Sequence, residues 1–186
     1  MRRLFLIKHA LPVIVPGTPA HLWELSEEGR EQALRLASLL ALRDLSCVVA
    51  SEEPKARDTG RIVAEKLGVP FFSYPGLHEH PRATVPYGST AEFANGVRAF
   101  FERPSELVLG EETATKTHSR FRDAIQEVMQ QSAGNVAVAT HGTVITLLVA
   151  RANGLGEFSF WGTLGLPALV EVSWPELKLV GVTKKI

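Results

Sequence analysis

Two apolar runs, Leu4-Phe5-Leu6-Ile7 and Val136-Ala137-Val138-Ala139, constrain this chain more than any other feature. A short run that is apolar at every position, not at every second one, suits a strand covered on both faces of its sheet. Both runs end alike. Lys8-His9-Ala10 follows the first and Thr140-His141-Gly142 the second. Should the two strands be sheet neighbours, their histidines would meet at one edge.

The intervening chain alternates between strand and helix signals. Ser46 to Ala50 reads as a second buried strand, Phe71-Phe72 as the start of a short third, and Asn135 to Ala139 as another. Ser26 is placed as an N-cap with Glu27 and Glu28 in the first turn. Ala33, Leu36, Ala37, Leu40 and Ala41 then fall on one helical face, and Gly29 slightly weakens the start. Pro54 opens a second helix with apolar Ala56, Gly60, Val63, Ala64 and Leu67, which Gly68 closes. Two more helices are marked by Phe93, Ala94, Val97, Phe100 and Phe101, and by Phe121, Ala124, Ile125, Val128 and Met129, with a break from Pro104 to Gly110. Thr143 to Ala150 suits strand or buried helix, and its place after a strand and before Asn153-Gly154 favours helix. Ala168 to Ser173 and Leu177 to Val182 read as two closing strands. The expected architecture is a three-layer α/β/α sandwich with a largely parallel central sheet, in one domain spanning residues 1–186.

Composition narrows the function classes. Lys plus Arg number 20 and Asp plus Glu number 20, so no overall positive field recommends a nucleic-acid partner. Cys47 is the only cysteine, which rules out an intramolecular disulfide and any multi-cysteine metal site. No stretch approaches the roughly 18 apolar residues of a membrane span. Arg2-Arg3 before an apolar run imitates a signal peptide, but Lys8, His9 and Pro12 interrupt it. A cytoplasmic protein without a membrane partner is the expectation, and the oligomeric state is unreadable.

Ligands of open α/β sheets bind beyond the carboxyl ends of the strands. Lys8 and His9 end the first strand, Ser51 to Lys55 follow the second, Glu79 follows the third and His141 ends a later one. The loop from Ser73 to Gly88, punctuated by Pro75, Gly76, Pro81, Pro86 and Gly88, is long for a compact domain and carries His78-Glu79-His80 and Arg82. Lysines supply compact charge for an anion such as phosphate. One histidine can act as a nucleophile toward phosphorus, a second can stabilise the transferring group, and a carboxylic acid can protonate the leaving alkoxide. His78, Glu79 and His80 as a metal site is the rival chemistry, but it lacks a defined third ligand and the helical spacing of known zinc motifs. No metal and no cofactor are expected. His80 and Arg82 read as surface or substrate-edge residues, and Trp23, Trp161 and the phenylalanine pairs at 71–72 and 100–101 as core or pocket wall.

The motifs resemble the histidine phosphatase superfamily, which includes the phosphoglycerate mutases. Leu6-Ile7-Lys8-His9-Ala10 is similar to its Leu-x-Arg-His-Gly signature, and Leu25 to Ala33 to its helix start. Ser51-Glu52-Glu53-Pro54-Lys55-Ala56 and the four residues after it resemble Ser-Pro-Leu-x-Arg-Ala-x-Gln-Thr-Ala. Leu77-His78-Glu79, Gly88 to Phe93 and Ala139-Thr140-His141-Gly142 correspond to later elements, in order. The resemblance implies a phosphoglycerate mutase-like fold. It implies His9 as the nucleophile that becomes a phosphohistidine, His141 flanking the transferred phosphoryl group, and Glu79 as proton donor. Lys8 and Lys55 stand at the two phosphate-pocket arginine positions.

Those lysines keep the charge but lose the planar two-pronged grip of arginine. Each lost charge-assisted hydrogen bond costs about 1.5–3 kcal/mol. Two readings follow: a metal-independent phosphomonoesterase on a small phosphorylated substrate, or a phosphate-binding or regulatory protein with weakened turnover. Mutase-type phosphoryl transfer is a third and lesser one. Arg82 is a candidate to compensate for the lysines; Arg57, two residues from Lys55, is expected to face elsewhere. Ser73 to Gly88 and Gly110 to Lys116 are expected to shape specificity.

Overall fold

A computed structural model describes residues 2–85, 88–184 and 186. Its sheet has six strands: β1 (Arg2–Lys8), β2 (Leu45–Ala50), β3 (Phe71–Ser73), β4 (Asn135–Thr140), β5 (Ala168–Trp174) and β6 (Leu179–Thr183). They lie in the order β3-β2-β4-β1-β5-β6. β3, β2, β4 and β1 are mutually parallel, whereas β5 runs antiparallel to both β1 and β6. The two apolar runs are therefore neighbours, with Lys8 opposite Thr140.

Side-chain alternation along the strands divides the interior in two. Leu4, Leu6, Val136, Val138 and Val170 share one layer with Phe121, Ile125, Val144 and Leu148. Those helical residues belong to α4 (Ala114–Gln130) and α5 (Gly142–Asn153). Phe5, Ile7, Val48, Ala137 and Ala139 face the other way, against Leu36, Leu40 and Val63. These come from α1 (Glu27–Leu40) and α2 (Pro54–Leu67). The result is the expected layered α/β/α arrangement with a mostly parallel sheet.

The helix boundaries follow the expected signals. Ser26 caps α1 by accepting a bond from the Gly29 N–H, Pro54 occupies the first turn of α2, and Gly68 ends it with φ +68°. The ambiguous segment after β4 is helix. A third small core, Val97, Phe100, Phe101, Ala114 and Leu147, joins α3 (Thr90–Glu102) to α5. Three details differ from the sequence reading. Ala41 lies exposed beyond the end of α1. Phe72 is exposed on the edge strand β3. A short helix, α6 (Glu157–Thr163), carries Phe158 and Trp161, and its seven residues are too few to give a readable period. Pro86 and Tyr87, within the long loop expected from Ser73 to Gly88, lie outside the described residues.

Gly29 also has a role that propensity alone conceals. A Cβ built there would stand 2.2 Å from the Leu11 carbonyl oxygen and 2.8 Å from Leu25 Cδ1. Helix α1 therefore touches the chain that leaves β1, and only glycine fits the contact. Gly29→Ala, normally helix-favouring, is expected to destabilise the fold by about 1–3 kcal/mol, as overpacked sites do. Urea denaturation of the two proteins measures the difference.

Candidate active site

His9 and His141 leave adjacent parallel strands at the same level. The His9 N–H donates to the Thr140 carbonyl at 2.9 Å, extending the ladder one residue past the strand. Their rings meet edge to face with centroids 5.2 Å apart. His9 Nδ1 lies 2.8 Å from the Ala10 carbonyl oxygen. A carbonyl only accepts, so Nδ1 carries the proton and Nε2 keeps its lone pair.

The backbone beyond His9 is clamped by side chains from both helices on that face. Thr59 Oγ1 accepts from the Ala10 N–H, Gln32 Oε1 accepts from the Leu11 N–H, and Ser26 Oγ donates to the Leu11 carbonyl. Thr59 in turn donates to the Lys55 carbonyl. The serine, glutamine and threonine of the sequence motifs thus fix the turn that aims His9.

His141 is fully enclosed. Its Nε2 is 3.0 Å from Ser51 Oγ and 3.5 Å from Glu53 Oε1. Because the carboxylate can only accept, Nε2 is the protonated nitrogen, and Nδ1 is buried with no hydrogen-bond partner among the described residues. Burial, reinforced by the Lys55 charge, holds His141 well below the ordinary histidine pKa, with Glu79 pulling the other way. Burial followed by the His141 and Lys55 charges does the same to His9.

Glu79 is bound at both oxygens. Oε1 accepts from the His80 N–H at 2.9 Å and Oε2 from the Thr143 N–H at 3.1 Å, at the start of α5. Arg82 Nη2 stands 3.9 Å from Oε2. Burial pushes the Glu79 pKa up, but Arg82, then His141 and the two backbone donors, outweigh it and bring it to about 2. It is therefore a carboxylate.

The two lysines are placed differently. Lys55 lines the cavity, with Nζ 2.6 Å from the Ala20 carbonyl and 2.6 Å from Glu53 Oε2. Lys8 shares the sheet face of Leu4 and Leu6, passes under Gly142, and donates to the Leu164 carbonyl at 2.7 Å. It is not among the residues lining the cavity, although its charge is felt by His9. Burial lowers the Lys8 pKa, and Glu79 offsets part of that.

The cavity has a volume of about 360 Å³ and is lined by His9, Glu53, Lys55, Glu79, Arg82 and His141, among others. Arg82 thus belongs to its wall, resting over the Phe93 ring of α3 at 5.0 Å. Arg57 instead pairs with its neighbour Asp58. His80, expected at the surface or substrate edge, is buried against Phe100 at the cavity wall, with its Nε2 on the Glu112 carbonyl. No group of three or more His, Cys, Asp or Glu side chains forms a metal-binding cluster among the described residues.

Two residues escaped the sequence reading. Glu53 touches Lys55, His141 and the Glu79 N–H at once. Its signal was present, since the resembled segment has a leucine at that position. Arg120 of α4 donates to the carbonyls of Gly76, His78 and Glu79 and pairs with Glu112, so one guanidinium fixes the loop that carries Glu79. Nothing in its helical pattern announces this. Glu111 continues the support by accepting from the Ala83 and Thr84 N–H groups, and Gly110 (φ +64°) packs where a Cβ would stand 2.0 Å from the Pro81 carbonyl oxygen.

A family model described as the histidine phosphatase superfamily (branch 1) matches residues 21–178. The chain belongs to this superfamily. The match takes in Lys55, Glu79 and His141 and begins after His9. Among solved structures, a vanadate complex of a mycobacterial glucosyl-3-phosphoglycerate phosphatase aligns with TM-score 0.79 and 22% identity, covering 100% of both chains. The alpha-ribazole phosphatase of Shigella flexneri aligns at 0.70 and 22%, covering 98% of this chain and 96% of that one. A mutant phosphoserine phosphatase of Entamoeba histolytica in complex with phosphoserine aligns at 0.75 and 15%, covering 100% and 96%. At these identities they share its fold. No curated protein matches the chain. Among the described residues no helix is long and apolar enough to cross a membrane.

The pH behaviour of this superfamily member follows from its buried groups. A carboxylate depressed from 4.5 to about 2 stabilises the fold fully above pH 4.5, and that contribution is lost as pH falls through 2. Glu79→Gln should therefore narrow the stability gap to the unchanged protein across that window, by up to about 3 kcal/mol. Because His9 and His141 stay neutral when folded, unfolded histidines bind protons first, and stability should also decline below pH of about 6.5. Denaturant titrations from pH 7 to 2 test both limbs.

Proposed function

We propose that the protein is a metal-independent phosphomonoesterase acting through a phosphohistidine at His9. The observation that carries this reading is the fixed tautomer of His9, whose Nε2 lone pair is held in a cavity beside His141, Lys55 and Arg82. Membership of a phosphatase superfamily supports it. In the first step His9 Nε2 attacks phosphorus, the P–O bond to the organic group breaks, and that alkoxide takes a proton from Glu79. In the second, water attacks the phosphohistidine, Glu79 takes the water's proton, and inorganic phosphate leaves as His9 is restored.

Glu79 must first acquire the proton it donates. Its own surroundings keep it ionised, but a phosphoryl dianion beside it favours the neutral acid. The same charge favours protonation of His141, whose unpartnered Nδ1 can then donate to a phosphoryl oxygen. Substrate binding and proton uptake are thereby coupled.

Acid-labile phosphate should be trapped on the protein after brief exposure to a labelled phosphoester and denaturing quench. His9→Ala should abolish trapping, and persistent labelling of that variant would remove His9 from the mechanism. Glu79→Gln should lower kcat for an alkyl phosphate by about 10²–10⁴, the usual worth of a positioned proton donor. Addition of a chelator should leave turnover unchanged.

One observation favours a slower, phosphate-binding relative of such an enzyme. Both lysines at the arginine positions of the resembled motifs already spend donors on the protein, Lys8 on Leu164 and Lys55 on Ala20 and Glu53. On this reading Lys8→Arg with Lys55→Arg raises kcat/KM by about one to two decades or more. Turnover of an aryl phosphate by the unchanged protein at ordinary enzymatic rates excludes it.

A further inference from the structure

We infer that Glu53 makes the cavity selective for phosphomonoesters whose organic part is neutral or positively charged, against those carrying a second anionic group. The inference rests on the phosphomonoesterase reading and adds a substrate class to it. Glu53 is held at both ends: Oε2 lies 2.6 Å from Lys55 Nζ, while Oε1 accepts the Glu79 N–H at 2.9 Å and faces His141 Nε2 at 3.5 Å. With side chains only 11% and 6% exposed, Glu53 and Lys55 form a largely desolvated pair that cannot swing apart into solvent.

That pair changes the charge a ligand meets. Lys55 has three N–H donors, of which Ala20 and Glu53 take two, leaving one for a phosphoryl oxygen. The lining holds two side chains of fixed positive charge, Lys55 and Arg82, and two carboxylates, Glu53 and Glu79, which cancel. His78 faces the same group and is held below the ordinary histidine pKa by burial and Arg120, as His9 and His141 are by burial and Lys55. Lys8 lies outside the lining, with its Nζ donating to the Leu164 carbonyl. The protons that a phosphoryl dianion draws onto Glu79 and His141 offset its own two charges, so the occupied lining stays balanced. A carboxylate or second phosphate on the same ligand therefore finds no surplus positive charge and meets the Glu53 carboxylate, whereas an ammonium group is attracted by it.

Two small phosphoesters of similar size separate the cases: 2-aminoethyl phosphate and carboxymethyl phosphate, each as a competitor of p-nitrophenyl phosphate hydrolysis. The unchanged protein should bind the amine ester at least tenfold more tightly. E53Q, nearly isosteric, should reduce that preference at least fivefold, chiefly by tightening carboxymethyl phosphate. E53L serves as the second variant if E53Q melts early by circular dichroism. Equal or reversed affinities in the unchanged protein, or a preference that survives the loss of Glu53, overturn the inference. Aryl phosphate hydrolysis with an unaltered preference defeats the selectivity alone. Absence of hydrolysis defeats the phosphatase reading, and calorimetric titration of the same two ligands then still decides the role of Glu53.

Discussion

The parallel pairing of β1 with β4 is the constraint from which the site descends. Its register places Lys8 opposite Thr140, and the following residue on each strand is a histidine. Parallel strands have a fixed polarity, so both chains leave the sheet on the same side. A one-residue slip would turn Phe5 and Ile7 to the opposite layer as well as part the histidines. Packing of the two cores and alignment of the two histidines are therefore one requirement, satisfied by one set of backbone hydrogen bonds.

Around that pairing the protein supplies geometry rather than charge. His9 has its tautomer set by the Ala10 carbonyl and its turn clamped by Thr59, Gln32 and Ser26. Glu79 has both oxygens occupied by backbone donors. Burial keeps the two histidines neutral, which preserves the lone pair a nucleophile needs. The positive charge left over for an anion is modest, because Glu53 occupies the lysine that stands closest to it.

Much of this was legible in the sequence, and the reasons for the gaps are physical. Strands buried on both faces and capped helices leave strong local patterns, so Leu4 to Ile7, Ser26, Pro54 and Gly68 read correctly. The strand-end rule then collected Lys55, Glu79 and His141 at one rim. What did not read is where a long side chain goes once it is there. Lys8 follows strand alternation toward the layer of Leu4 and Leu6, and that direction is set by which helix covers which face. His80 is buried because α3 and the Glu112 segment close over it, a contact that arises only in the folded chain. Gly29 looked like a weak helix residue because its value lies in a neighbour 18 positions earlier in the chain, Leu11.

Arg120 gives the loop after β3 an unusual freedom. It gathers three loop carbonyls from the chain just before His80 and ties them to α4. With that anchor inside the loop instead of at its ends, the stretch beyond Arg82 can lengthen, shorten or change composition while Glu79 keeps its aim. A chain built this way can exchange the outer part of that loop without rebuilding the cavity wall that Glu79 forms. Variation in such a lineage would then fall on surface loops, with the core untouched.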